Sequence, residues 1–163
     1  MIRGRLTAVL IACLLAIPAA AAPQKSKLGL DKIPGKVMDA LKARFPRPDI
    51  RKWTAEKEGG IVLYDIEFLQ DGRKFEADIW EDGTIHNWER EIAIKDLPAA
   101  ARKAVDTRYP AAAIKEVMAV TAVKDGRDAL EGYEISLETA GRKAVEITVA
   151  PNGRLLEDSR EKK

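Results

Sequence analysis

The sequence contains one cysteine and one histidine, so residue counts alone exclude several kinds of functional site. Cys13 lies in an N-terminal apolar segment that we predict is removed, and the remaining chain then has no disulfide, no thiol nucleophile and no thiolate metal site. Metal sites built from several histidine or cysteine ligands are excluded for the same reason. His86 stands alone in a tryptophan-rich segment, which favours packing over catalysis.

Recognisable catalytic and cofactor motifs are also missing. No serine is surrounded by the glycines of a nucleophile elbow, so a Ser-His-Asp arrangement through His86 is not favoured. Gly-Arg-Lys occurs at 72–74 and 141–143 without the spacing of a phosphate-binding loop, and it is interpreted as a turn. We therefore predict a noncatalytic protein with no metal and no cofactor.

The N-terminus has the pattern of a secretory signal peptide. Arg3 and Arg5 precede an apolar stretch over 6–17 that is too short for a permanent membrane span, and small alanines follow it. Cleavage after Ala21 is favoured because it keeps proline out of the first mature position. A lipoprotein alternative through Cys13 fits poorly, because this cysteine comes early and more apolar residues follow it. We predict a periplasmic or secreted protein without a membrane anchor after cleavage.

The charge balance gives no indication of a nucleic-acid ligand. The chain has 28 Lys and Arg against 26 Asp and Glu, and loss of the signal peptide removes two arginines and no acid. The mature chain is therefore close to neutral. Because it also has no clustered basic stripe of the kind that binds a phosphate backbone, we predict no nucleic-acid partner.

Most of the remaining sequence occurs twice. A segment that begins at Asp31 and ends with Arg-Phe-Pro at 44–46 returns as one that begins at Asp96 and ends with Arg-Tyr-Pro at 108–110. Downstream, Tyr-Asp-Ile at 64–66 returns as Tyr-Glu-Ile at 133–135. Such internal similarity predicts two copies of one structural unit.

Each copy has the pattern of one helix followed by strands. In the first copy, Val37, Leu41 and Phe45 recur at helical spacing after a proline. From Ile50 onward the pattern changes to alternation, and the glycine turns between the alternating runs predict about four antiparallel strands. The second copy repeats the helical stripe over 101–109.

The predicted fold class is therefore α+β. It consists of two tandem repeats, each with one helix packed on about four antiparallel strands, that either share one sheet with the helices on one face or pack side by side. The predicted boundaries are 1–21 for the signal peptide, 22–30 for an N-terminal linker, 31–94 and 95–158 for the repeats, and 159–163 for a charged tail. The charged residues from 157 to 163 are expected to fray.

Several local features recur in both copies. They are an Ile-Pro or Leu-Pro helix start at Pro34 and Pro98, an aromatic-Pro helix end at Pro46 and Pro110, a Tyr-led strand, a glycine hairpin, and an Asp-Gly or Asn-Gly turn at Gly83 and Gly153. This combination resembles the PepSY-like family, which includes bacterial modules similar to β-lactamase inhibitor protein, and it covers almost the whole mature chain. The resemblance implies noncatalytic α+β units of the cell envelope, some of them linked to inhibition of peptidases or β-lactamases. Because this chain cannot form the disulfide-closed loops of the inhibitor protein, no inhibitory residue is carried over.

A two-residue hairpin at 71–72 would place acidic residues opposite each other on the strand face away from the helix. Glu67 then faces Glu76, and Asp65 faces Asp78. Like charges in this position destabilise a sheet by roughly 0.2–1 kcal/mol per pair unless a cation lies nearby. Three explanations stay open: a basic residue of a neighbouring strand, a basic surface of a partner, or a bound divalent cation. The candidates for the first are Arg51, Lys57 and Arg90.

All three tryptophans lie in the first copy. Trp80 shares strand parity with Glu76 and Asp78 and is expected on the same face, and Trp53 joins it if Ile50 points into the core. Exposed aromatic residues among charges are typical of an interface anchor. The alternative is that the tryptophans fill a thin core or a junction between the repeats.

The position of Trp88 depends on the preceding turn. A three-residue turn over 82–84 places His86 and Trp88 beside Trp80, whereas a two-residue turn sends both side chains inward and exposes Ile85. We favour the three-residue turn.

These features predict an exported, noncatalytic protein-binding module that presents one sheet face to an envelope or secreted protein. Inhibition or modulation of an envelope enzyme, such as a peptidase or a β-lactamase, is one form of that role. The alternative is a periplasmic protein that binds a small ligand or a cation on the acidic face. No oligomeric state is predicted. The candidate binding residues are Trp53, Asp65, Glu67, Glu76, Asp78, Trp80, His86 and Trp88.

Overall fold

The computed structural model describes residues 29–161, so the predicted signal peptide, most of the predicted linker and residues 162–163 lie outside the described residues. The helices are α1 (Gly35–Arg44) and α2 (Ala99–Arg108). Eight strands accompany them: β1 (Asp49–Glu58), β2 (Ile61–Gln70), β3 (Arg73–Trp80), β4 (Ile85–Glu91), β5 (Ala113–Lys124), β6 (Arg127–Glu138), β7 (Ala144–Val149) and β8 (Leu155–Asp158). Short 3₁₀ turns at Leu30–Lys32 and Ile94–Asp96 precede the two helices. Neither helix has the length and apolar character that a membrane crossing within 29–161 would need.

The predicted fold class, with two tandem helix-and-strand repeats as the structural units, is wrong. The strands form one antiparallel sheet in the order β1 to β8. Its centre is the pairing of β4 with β5, which runs from Asn87 opposite Ala122 to Glu91 opposite Met118. An unpaired strand edge leaves backbone N–H and C=O groups without partners, so joining β4 to β5 satisfies both edges at once. The structural unit is therefore a single eight-stranded sheet with two helices.

Both helices pack on the same face of this sheet. One row of paired positions crosses β3 to β7 on this face: Phe75, Arg90, Ala119, Tyr133 and Val149. Phe75 belongs to the core under α1, whereas Tyr133 and Val149 belong to the core under α2. The opposite side, which we call the open face, is covered by neither α1 nor α2.

The helical stripes expected from the sequence are buried. Val37, Leu41 and Phe45 pack against the strands of the first half, and the stripe over 101–109 packs against those of the second. Full burial of a side chain of this size contributes roughly 1.5–3 kcal/mol. The two stripes therefore hold both helices on one side of the sheet.

Residues 158–160 are held by polar contacts, chiefly with the end of α2. The Asp158 carboxylate is 3% exposed, and it accepts hydrogen bonds from the Tyr109 hydroxyl (2.6 and 2.7 Å) and from Nε of Arg108 (2.6 Å). Nε of Arg160 donates to the Tyr109 hydroxyl oxygen (2.8 Å), and Ser159 N–H donates to the carbonyl of Glu146 (2.9 Å). Residues 159–161, which the sequence assigns to the charged tail, thus make hydrogen bonds with the rest of the domain.

Replacing Tyr109 with phenylalanine is expected to lower the free energy of unfolding by about 1–2 kcal/mol, because Asp158 then loses a donor inside the protein. Although burial alone raises the pKa of Asp158, the hydrogen bonds from Tyr109 and the Arg160 N–H hold this pKa below its usual range. Urea denaturation measures the change. The matched control is Tyr64→Phe, which removes a hydroxyl from a half-buried ring on β2. Equal losses in both variants would contradict a specific role for the Tyr109 hydroxyl.

Candidate functional site

The β2–β3 hairpin has the predicted two-residue turn. Asp71 and Gly72 both have positive φ angles, 51° and 78°, and the strands pair on either side of them. Glu67 lies opposite Glu76, and Asp65 lies opposite Asp78. The predicted register is therefore confirmed, and the four carboxyls point to the open face.

The sheet brings two further carboxyls to this region of the open face. Glu89 on β4 is paired directly with Glu76. Glu134 on β6 is paired with Met118 on β5, and Met118 is paired with Glu91 on β4. Because Glu89 and Glu91 lie two residues apart on β4, Glu134 is on the same face of the sheet as Glu89. We call Asp65, Glu76, Glu89 and Glu134 the acidic strip. Glu89 and Glu134 were not among the residues predicted from the sequence, although strand alternation in β4 and β6 could have placed both on the open face once the β4–β5 pairing was known.

Lysines neutralise the outer carboxyls of the open face. Nζ of Lys52 lies 2.6 Å from Oε1 of Glu67, and Nζ of Lys74 lies 2.8 Å from Oε2 of Glu116. The basic residues named from the sequence are not the ones in these pairs, and Arg51 instead pairs with Asp49 at 2.5 Å. Intramolecular ion pairing therefore explains Glu67, whereas in the acidic strip burial outweighs the effect of Lys52 on the pKa of Asp65 and that of Lys74 on the pKa of Glu134.

The carboxyls of the acidic strip hold protons more tightly than exposed carboxyls do. Burial, together with the nearby carboxyls of Asp65 and Glu89 and a hydrogen bond to Asp65, raises the pKa of Glu76 to about 10. Burial and the carboxyl of Glu146 raise the pKa of Glu134 to about 8. Burial, with the carboxyls of Glu134 and Asp78, raises the pKa of Glu89 well above its usual value. Of these carboxyls, Glu76 has the pKa that lies furthest above neutral pH among those with a value, and it therefore holds its proton there.

Two oxygen atoms of the acidic strip are buried without a hydrogen-bond partner. They are Oε2 of Glu89 and Oδ1 of Asp65. The other oxygen of Asp65 lies 3.4 Å from the Thr54 hydroxyl, which donates to it. Because an unsatisfied buried oxygen destabilises a fold by roughly 1–3 kcal/mol, these two atoms call for an explanation.

Trp80 and His86 form an aromatic pair beside the acidic strip. Their ring centres are 5.7 Å apart in an edge-on arrangement, and Trp80 is paired with Leu63. Ile61, on the same side of β2, is 50% exposed. The predicted neighbourhood of Trp80 and His86 on the open face is therefore present, with an apolar patch next to it.

The predictions for Trp53 and Trp88 are wrong, because a bulge in each strand reverses side-chain parity. In β1 the register shifts between Ile50 and Lys52, so Lys52 reaches the open face and Trp53 packs on the core. In β4 the extra residue is His86, and Trp88 therefore lies opposite Ala77 on the core side.

The surroundings of Trp88 match a core position. Its ring lies 6.0 Å from that of Phe45 and 6.4 Å from that of Phe75. The guanidinium of Arg44 is 5.2 Å from its ring centre. Only one of the three tryptophans, Trp80, is thus available on the open face.

A shallow groove of about 510 Å³ lies elsewhere, between the end of α1 and the β5–β6 turn. Its lining residues include Arg44, Ile85 and Asp128, and Arg44 forms an ion pair with Asp128 across it. None of the predicted site residues lines this groove.

The fold matches solved bacterial proteins. A BLIP-like protein from Bacteroides fragilis (BLIP, β-lactamase inhibitor protein) superposes with a TM-score of 0.52 at 22% identity, over 77% of this chain and 85% of that chain. A DUF2874 family protein from Bacteroides uniformis gives a TM-score of 0.58 at 16% identity, over 80% of this chain and 92% of that chain. The fold is BLIP-like. A protein from Bacteroides eggerthii, named as a candidate periplasmic protein, also gives 0.58 at 16% identity, over 77% of this chain and 87% of that chain.

No protein-family model matches the sequence. No curated protein matches it either. The likeness to the Bacteroides structures therefore concerns the fold, and the residues of the open face must be interpreted from their own chemistry.

Proposed function

We propose that this protein is an exported, noncatalytic binding module whose protein partner docks on the open face. The observation that carries the proposal is the aromatic pair of Trp80 and His86, which adjoins exposed Ile61 and the acidic strip on a face that neither helix covers. Tryptophan is enriched at the energetic centres of protein interfaces, and an apolar patch beside buried polar groups is typical of such centres.

Export, with a signal peptide over 1–21, fits the naming of the Bacteroides eggerthii protein as periplasmic. Inhibition or modulation of an envelope enzyme such as a peptidase or β-lactamase is a finer form of the proposal. Its support is the PepSY-like resemblance and the BLIP-like fold. The competing hypothesis of cation binding on the acidic face has less support, since no three His, Cys, Asp or Glu side chains within 29–161 are arranged to hold a metal ion.

A photocrosslinking experiment tests the docking face. Benzoylphenylalanine is placed at Trp80 on the open face or at Lys103, an exposed position on α2, and each protein is irradiated in a periplasmic extract. We expect a discrete crosslinked protein from position 80 and none from position 103. The Trp80→Ala substitution is expected to reduce capture of the same protein by affinity pull-down about tenfold or more, because an anchoring aromatic contributes about 2 kcal/mol. Equal crosslinking from both positions, or undiminished capture by Trp80→Ala, would exclude this face.

A further inference from the structure

We propose that the acidic strip receives one cationic side chain, a lysine or an arginine, from the protein that docks on the open face. This inference rests on the proposed function and specifies the chemistry of the partner. It begins from the register, which brings together carboxyls from three adjacent strands. Glu76 on β3 lies between Glu67 on β2 and Glu89 on β4, and it shares a hydrogen bond with Asp65.

The buried oxygens supply a second, separate observation. Oε2 of Glu89 is enclosed and has no donor, although most buried polar atoms in proteins have one. Neither lysine of the neighbouring ion pairs donates to it, since Lys52 binds Glu67 and Lys74 binds Glu116. A donor from the partner protein would satisfy the Glu89 oxygen and leave both of these ion pairs in place.

The geometry favours an organic cation over a metal ion. A divalent metal needs several oxygens converging at short, equal distances, and no such group of three acidic residues occurs within 29–161. An ammonium or guanidinium group instead reaches separate carboxylates through N–H donors about 2.7–2.9 Å from the oxygens. A protonated strip can release its protons to accept this charge, because an approaching cation stabilises carboxylates.

The apolar patch beside the acidic strip can contact the methylene stem of such a side chain and the apolar residues next to it in the partner. Trp80 lies two residues beyond Asp78 on the same face, and it pairs with Leu63. Lysine and arginine bury their methylene stems against apolar surface while the charged end reaches polar groups. The matching partner segment is therefore a basic residue flanked by apolar ones.

The test is an NMR titration of the purified protein with the blocked tripeptide Gly-Arg-Gly and with its uncharged citrulline analogue. The side-chain carboxyl ¹³C signals report directly on the strip. We expect saturable shifts at Glu76 and Glu89 with the arginine peptide in the millimolar range and no saturation with the citrulline peptide. Glu89→Gln, which preserves shape, is expected to weaken binding about tenfold, whereas Glu56→Gln, at an exposed position of β1, changes it less than twofold.

Three outcomes would overturn the inference. One is the absence of saturable shifts with the arginine peptide, and another is equal binding of the citrulline peptide. The third is an equal loss in Glu56→Gln and Glu89→Gln, which would indicate general charge attraction. A parallel titration with calcium chloride refines the first outcome, since shifts of Glu89 with calcium and none with the arginine peptide would assign the strip to a metal ion. Each of these results leaves the crosslinking from position 80 unaffected, so failure here is distinguishable from failure of the docking face.

Discussion

Replacing Gly153 with alanine is expected to lower the free energy of unfolding by about 3 kcal/mol. Gly153 lies in the β7–β8 turn with a φ of +86°, and a Cβ added there would be 2.7 Å from the Ala100 carbonyl oxygen. The close atom is backbone in the first turn of α2, so it cannot move aside as a flexible side chain would. The strained φ and the clash therefore add, and the turn must separate from the helix. Thermal and urea denaturation measure the loss.

Gly126→Ala is the matched control for this substitution. Gly126 lies in the β5–β6 turn with a φ of +70°, and an added Cβ would meet nothing within 4 Å. The control keeps the backbone strain and lacks the clash, so it is expected to lose only about 1 kcal/mol. Similar losses at both positions would show that the contact between the β7–β8 turn and α2 does not restrict residue 153.

Features that depend on neighbouring residues were predictable from the sequence. The Asp71-Gly72 turn set the register of β2 with β3, because two residues with positive φ close a hairpin of defined length. The opposition of Asp65 and Asp78 followed from that register alone. The same local reasoning found the buried stripe of α1, since helical spacing determines which side chains share a face.

Strand bulges were not predictable from alternation. One extra residue at His86 reverses the facing of Trp88, and the shift between Ile50 and Lys52 does the same for Trp53. The bulge at His86 is stabilised by tertiary packing. Trp88 fills the space beside Phe45, and the preceding turn is fixed against α1, where a Cβ on Gly83 would lie 3.0 Å from the Lys36 carbonyl oxygen. The alternation of residues along one strand carries no information about either of these contacts.

Long-range pairing escaped prediction for a related reason. Glu134 joins Glu76 only because β4 and β5 connect the halves into one sheet, whereas the repeats in the sequence left open whether the halves share a sheet or pack side by side. Tyr109 and Asp158 are 49 positions apart, and their hydrogen bond has no local signal in the sequence. Both the place of Glu134 in the acidic strip and the Tyr109–Asp158 contact therefore depend on residues that are distant in the sequence.

The stability of the protein is expected to fall as pH rises from about 5 to 9, because the folded state holds protons that the unfolded chain releases. The pKa of Glu76 is raised from 4.5 to about 10, first by burial and then by Asp65, Glu89 and Glu134, and that of Glu134 is raised to about 8. A carboxyl with a raised folded pKa contributes its full stability below the unfolded pKa and loses it as pH rises through the folded pKa. Below about pH 4 the stability is expected to fall as the pH falls, because the folded state lowers the pKa of Asp158 and protonation of this carboxyl favours the unfolded chain. The stability maximum is therefore expected near pH 5.

Glu76→Gln isolates the part of this effect that belongs to Glu76, because glutamine has the shape of the protonated acid but does not titrate. At pH 8.5 the variant is expected to be more stable than the wild type by about 1–3 kcal/mol, and at pH 4.5 the two should agree within about 0.5 kcal/mol. Glu56→Gln removes the same formal charge from an exposed position of β1, so its stability curve should run parallel to that of the wild type. Urea denaturation across this pH range gives all three curves. A wild-type curve that is flat between pH 5 and 9, or a Glu76→Gln curve parallel to it, would mean that the Glu76 carboxyl is ionised in the folded protein at neutral pH.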